Sequence, residues 1–171
     1  LSPNHPKVNS YLLNIFGDLI QNYDLDGLHL DYVRFHDSDY GQNPISLSSF
    51  NKQLGIINTP SSNSLESSQW NDYRRKSVTD LVRETKNLIQ SIKPEIILTA
   101  AVKPNLYQAR ERFFQEWDVW LAAGYLDKAI VMNYTKDLKE FAANIDIMYD
   151  NLPSKYRKRI VMGIATYNQS P

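Results

Sequence analysis

Residues 23–41 read YDLDGLHLDYVRFHDSDYG, and the fold is decided by how they are parsed. Residues 24–27 have the composition of a turn, 28–33 that of a short strand, and from His36 the chain opens into a loop with two further aspartates. Strand alternation puts Leu28 and Leu30 on one side and His29, Asp31 and Val33 on the other. If the leucines pack against helices, His29 and Asp31 face the opposite side. A partly desolvated carboxylate there needs partners such as Arg34, Arg74 or Lys103.

Upstream, Val8, Tyr11, Leu12, Ile15, Phe16, Leu19 and Ile20 recur at the spacing of one helical face, with Pro6 at a helix start. Downstream, residues 36–64 are rich in Ser, Asn, Pro and Gly, which predicts a long loop, and long loops inside compact domains are commonly functional. A helix follows over about 65–92, with Val78, Leu81, Val82, Leu88, Ile89 and Ile92 on one face and Pro94 beyond its end. EIILTAAV (95–102) is a second strand. Phe113, Phe114, Trp117, Trp120 and Leu121 form one amphipathic helical face stopped by Gly124. KAIVMNY (128–134) is a third strand, Leu138, Phe141, Ala142, Ile145 and Met148 mark a fourth helix, and RIVMGIATY (159–167) is a fourth strand.

Helices alternating with continuous apolar strands define an α/β chain whose parallel sheet is covered by helices. Two architectures satisfy the pattern: a section of a (β/α)8 TIM barrel, or a small open doubly wound sheet. No strand is followed by a Gly-rich phosphate loop, so the nucleotide-binding form of the open sheet lacks its signature. Four strands are half of a barrel.

The chain has 171 residues and is 42% hydrophobic, enough for one domain with a core. Nineteen basic residues balance nineteen acidic ones, so no global field favours nucleic acid or an anionic membrane. The basic run KYRKR (155–159) reads as a solvated lead-in to the last strand. With no cysteine, thiol nucleophiles, thiolate metal sites and disulfides are excluded. No apolar run approaches a membrane span, and residues 1–25 do not resemble a signal peptide. His5, His29 and His36 lack zinc-like spacing, and Asp37 with Asp39 is only a fragment of a calcium loop; no metal or cofactor is expected.

In parallel α/β folds, ligands meet the carboxyl ends of the strands. Those ends carry Asp31 and Arg34, Lys103, Asn133 and Tyr134, and Tyr167 with Asn168. An aspartate in a cationic setting suits a nucleophile, or a stabiliser of positive charge at a sugar carbon. The competing reading is an aspartate in a structural ion pair or capping the next turn. Trp70, which starts a helix after the long loop, suits stacking on a sugar ring, whereas Trp117 and Trp120 lie on an apolar stripe and read as core. Arg74 is placed to partner Asp31, or is a solvated helix charge, as Arg75 is. His29 reads as a hydrogen-bonded interior histidine more readily than as a ligand.

LSPNHPKVNSYLLNIFGDLIQNYDLDGLHLDYVRF, with WNDYRRKSVTDLV, TAAVKP, EWDVWLAAGYLDKAIVMNY and VMGIATY, resembles the family 10 glycosyl-hydrolase-like proteins, a group of bacterial carbohydrate-active TIM-barrel proteins. The resemblance runs through nearly all of the chain; DGLHLDYVRF and VMNY are its most specific parts. It implies a single partial barrel over 1–171 whose strands correspond to barrel strands four to seven. It implies Asp31 as catalytic carboxylate, with Tyr32, Arg34, Trp70, Arg74, Arg75, Asn133 and Tyr134 matching family motifs. It further implies a glycan substrate, polysaccharide or cell wall, met outside the cytoplasm in the extracellular space or periplasm. His29, Lys103 and Tyr167 complete the expected sugar site.

One departure stands out: where many barrel glycosidases place a general-acid glutamate, TAAVKP ends in Lys103. Asp37, Asp39, Glu116 and Asp137 are the candidates for a second carboxylate. A glycoside hydrolase is therefore expected, with a non-catalytic carbohydrate-binding or scaffold domain as the alternative. Half a barrel leaves free strand edges, so the chain is expected either to self-associate edge to edge or to belong to a longer chain, and not to be active alone.

Overall fold

The computed structural model describes residues 2–55 and 64–166. Along the chain run α1 (Val8–Asn22), β1 (Gly27–Leu30), α2 (Pro44–Leu54), α3 (Ser64–Ile92), β2 (Ile97–Val102), α4 (Leu106–Arg112), α5 (Trp117–Ala122), β3 (Lys128–Met132), α6 (Leu138–Asn151), a 3-10 segment (Ser154–Arg159) and β4 (Ile160–Gly163). The four strands form one parallel sheet in the order β1-β2-β3-β4. Sequential order separates the two architectures. Each right-handed crossover then delivers its helix to the same face, whereas a doubly wound sheet reverses its order at a switch point. The fold is that of a partial TIM barrel.

Leu28, Leu30, Leu98, Ala100, Val102, Ala129, Val131, Ile160 and Met162 pack on the helices, joining a core with Ile20, Val78, Val82, Ile89, Trp117 and Trp120. The opposite face carries His29, Ile97, Thr99, Ile130, Met132 and Val161 by alternation. It is open along much of its length: Ile97 is 41% and Val161 44% exposed. β1 and β4 each keep one free edge among the described residues.

Three local readings differ from expectation. Within the stretch expected to be loop, residues 44–54 form α2. Its start is fixed by Pro44 and by Asn43, whose side chain accepts from Ser46 N at 2.9 Å; Gly55, at φ 67°, closes it. The helix expected through Phe113–Leu121 begins only at Trp117: residues 113–116 link α4 to α5, because Phe114 adopts φ 54° and sends its buried ring inward, where Phe35 meets it edge-on at 5.5 Å. Gly124, at φ 75°, sits just past α5, as a helix stop should. The first strand ends at Leu30, and Val33 does not share the side of His29 and Asp31. Tyr32, at φ 55°, turns the chain so that Val33 and Phe35 are buried.

The basic run 155–159 is partly absorbed by the fold. Arg159 donates to the carbonyls of Leu121, Leu126 and Asp127, and the Arg157 guanidinium lies 3.5 Å from the Tyr149 ring centre. No helix among the described residues is long and apolar enough to cross a membrane.

Candidate active site at the strand ends

The carboxyl end of β1 presents Asp31 to solvent. Its Oδ1 accepts from Tyr32 N at 2.7 Å, and Arg34 N donates to Tyr32 O at 2.8 Å, so the turn is held by its own backbone. The Arg34 guanidinium lies 4.1 Å from the Tyr32 ring centre. Its Nη1 is buried without a hydrogen-bond partner. Asp31, His29, Tyr32, Arg34, His36 and Tyr40 line a cavity of about 740 Å³ whose opposite wall is the apolar side of α1, including Leu12 and Phe16. His29 Nδ1 lies 2.8 Å from Thr99 Oγ1 on the neighbouring strand, matching the hydrogen-bonded reading, although the ring is exposed.

The end of β2 is tied to that of β1 by Gln115, buried in the segment between α4 and α5. Its Nε2 donates to Ala101 O at 3.0 Å and Val33 O at 3.3 Å, while its Oε1 accepts from Lys103 N at 2.8 Å. Trp117 Nε1 adds a bond to Lys103 O at 3.0 Å. These contacts fix the Lys103 backbone, and its ammonium stands 4.6 Å from the Phe113 ring centre. Burial, then the charges of Arg34 and Arg112, lower the Lys103 pKa.

At the end of β3, Asn133 is 1% exposed. Its Nδ2 donates to Phe141 O at 3.2 Å, its Oδ1 accepts from Asn144 Nδ2 at 3.0 Å, and its N–H reaches Gly163 O at 3.1 Å. Asn133 thus bolts the strand end to α6 and β4. Tyr134 is half-exposed and lies against Gly163, where an added Cβ would stand 3.3 Å from its ring. Tyr134, Lys103, Arg112, Phe113, Thr135 and Glu140 line a second cavity of about 560 Å³. Tyr167, expected at the end of the fourth strand, lies outside the described residues, as does Asn168.

Trp70, Arg74 and Arg75 of α3 do not line either cavity; α3 contributes Leu81 to the first. Trp70 is 7% exposed, packed against Phe50 and Tyr73 with ring centres 5.0 and 5.4 Å away. Arg74 is buried too. It donates to Ser38 O, to Tyr40 O at 3.0 Å and to Asn71 Oδ1, and lies 3.8 Å from the Phe114 ring centre. Burial and then the Arg75 charge lower its pKa to about 10, leaving it cationic at neutral pH. Arg74 therefore fastens the loop that follows Asp31, and no ion pair to Asp31 forms. Arg75 pairs with Asp72 at 2.7 Å.

The expected second carboxylates are mostly engaged. Asp37 receives a fork from Arg112, 2.9 and 2.5 Å long; that bond and the Ser38 N–H hold its carboxyl well below the usual range. Glu116 pairs with Arg110 at 2.9 Å and is half-buried, and burial, the largest influence, raises its pKa. Asp137 caps α6, accepting from Lys139 N at 2.7 Å and Glu140 N at 3.2 Å. Asp39 lies close enough for its charge to act on Arg74.

Glu140 was not legible as a site residue. Three positions after the cap Asp137, it has the pattern of an ordinary capping box. Its Oε2 instead accepts from Thr135 Oγ1 at 2.6 Å, at the wall of the second cavity. No group of three or more His, Asp or Glu side chains among the described residues is arranged to hold a metal ion.

The model of the family described as glycosyl hydrolase-like 10 matches residues 1–170. No curated protein matches the chain.

Proposed function

The chain belongs to the glycosyl hydrolase-like 10 family, and from that premise we propose that it cleaves glycosidic bonds in a polysaccharide or cell-wall glycan, with Asp31 as the principal catalytic carboxylate. The observation that carries this reading is the position of Asp31: exposed at the carboxyl end of a parallel strand, held at one oxygen by Tyr32 N, and lining a cavity of about 740 Å³. One oxygen held by the backbone leaves the other for the anomeric carbon. There a carboxylate stabilises oxocarbenium charge or forms a glycosyl ester.

Glu140 is the proposed proton donor to the leaving oxygen. It is the carboxylate on the wall of the second cavity, bonded to a hydroxyl rather than to a cation. Tyr134 and Lys103 line the same cavity and serve as sugar contacts, while Asn133, Arg74 and Trp70 act through the segments they hold. The setting we propose is outside the cytoplasm, where such glycans are met; fractionation of cells producing the native protein checks it.

The test is glycan release by the full-length protein against Asp31→Asn. Asparagine keeps an acceptor for Tyr32 N, so the fold should survive while the rate falls by roughly 10³-fold or more. Equal release by both proteins removes Asp31 from the mechanism. Binding without release by either one leaves a carbohydrate-binding domain, the reading favoured by Lys103 standing where an acid is expected.

A further inference from the structure

A cation stands at each of the adjoining ends of β1 and β2, Arg34 on the wall of the first cavity and Lys103 on that of the second. Gln115 bonds to Val33 O, Ala101 O and Lys103 N and so holds the two segments side by side. Lys103 and Arg112 share the Phe113 ring, with centroid distances of 4.6 and 5.5 Å. Arg112 is neutralised by its fork to Asp37. Lys103 and Arg34 are not: among the described residues neither forms an ion pair, and each rests only on an aromatic face, Phe113 and Tyr32.

The nearby acids do not pair with them: Asp31 Oδ1 accepts from Tyr32 N and Glu140 Oε2 from Thr135 Oγ1. A ring face attracts a cation but accepts none of its N–H bonds in the plane where an acceptor oxygen would sit. Arg34 Nη1, buried and unbonded, is the sharper sign, because a buried guanidinium donor without an acceptor is costly. Placing like charges together raises that cost, as the downward pull of Arg34 and Arg112 on the Lys103 pKa registers.

We infer that Lys103 and Arg34 form a subsite for an anionic group on the glycan, a carboxylate or a sulfate. This rests on the glycan reading and narrows it to acidic sugars. A planar guanidinium matches a two-oxygen anion, and the ammonium supplies a second, non-directional charge.

The experiment is equilibrium binding to the full-length protein of matched oligosaccharides: oligogalacturonates against their methyl esters, and sulfated against unsulfated galactan oligomers. The charged member of one pair should bind roughly ten- to a hundredfold more tightly, and the pair that shows the preference identifies the anion. Lys103→Met and, separately, Arg34→Gln should each erase most of that preference, weakening the charged member far more than the uncharged one. Arg34→Gln serves as the second variant should Lys103→Met fail to fold by circular dichroism. Equal binding within both pairs overturns the subsite and leaves the glycan reading standing. Equal loss for charged and uncharged members in the variants also overturns it. No binding by any oligomer removes the glycan reading itself.

Discussion

Tyr32 carries a backbone angle of φ 55°, which costs a residue with a Cβ about 1–2 kcal/mol. The bond from Tyr32 N to Asp31 offsets part of that cost. The result is a corner that leaves Asp31 outward and turns Val33 into the core, and nothing in the letters LDYV announces it. Gln115 is the other residue on which the site depends. Replacing it with leucine leaves Val33 O, Ala101 O and Lys103 N without their partner, so Gln115→Leu is expected to destabilise by about 2–3 kcal/mol, measurable as a lower urea midpoint. Its sequence neighbours, Phe114 and Glu116, gave no hint of that role, because every partner it has is distant along the chain or approached through a left-handed turn. By contrast the places of Asp31, Lys103 and Tyr134 at strand ends were legible, since a parallel strand's end is a place as much as a composition. The packing of Trp70 on Phe50 and Tyr73 was not legible, nor was Arg74 as a loop fastener, because the loop carbonyls that accept from Arg74 are 34 and 36 residues away.

Among the elements, α6 matters most for the proposed acid. Its first turn holds Glu140, and Asp137 satisfies two of the amides that a helix start leaves open. Asp137→Ala should cost about 1 kcal/mol, read by thermal unfolding, and should lower glycan release more than that loss alone explains, because Glu140 loses its fixed backbone. Stable Asp137→Ala protein with full activity would separate Glu140 from the chemistry. The amphipathic helices α1, α3 and α6 were legible from spacing alone, since three-and-four periodicity survives without tertiary help. α2 was missed because the Ser, Asn, Pro and Gly around it outweighed the helical spacing of Leu47, Phe50 and Leu54; Asn43, Pro44 and Gly55 were its end signals.

On the scale of the whole sheet, helices cover one face, Ile97 and Val161 are exposed on the other, and among the described residues β1 and β4 each have a free edge. Such edges are templates for further pairing. The isolated chain is expected to show mass rising with concentration in light scattering; a monodisperse monomer over a wide range would mean that this face is stable uncovered. The sequential strand order also has a consequence in time. The β2–β3 and β3–β4 connections are short, whereas that from β1 to β2 spans α2 and α3 and is more than twice as long. Closing it costs less than about 1 kcal/mol more in chain entropy, yet that is enough to favour a sequence of events in which β2, β3 and β4 zip first. Pulsed hydrogen exchange should then find the amides of β1 protected last. The strand that leads into Asp31 is thus the final one to dock, so every earlier species on the way to the native state lacks the proposed carboxylate in its place.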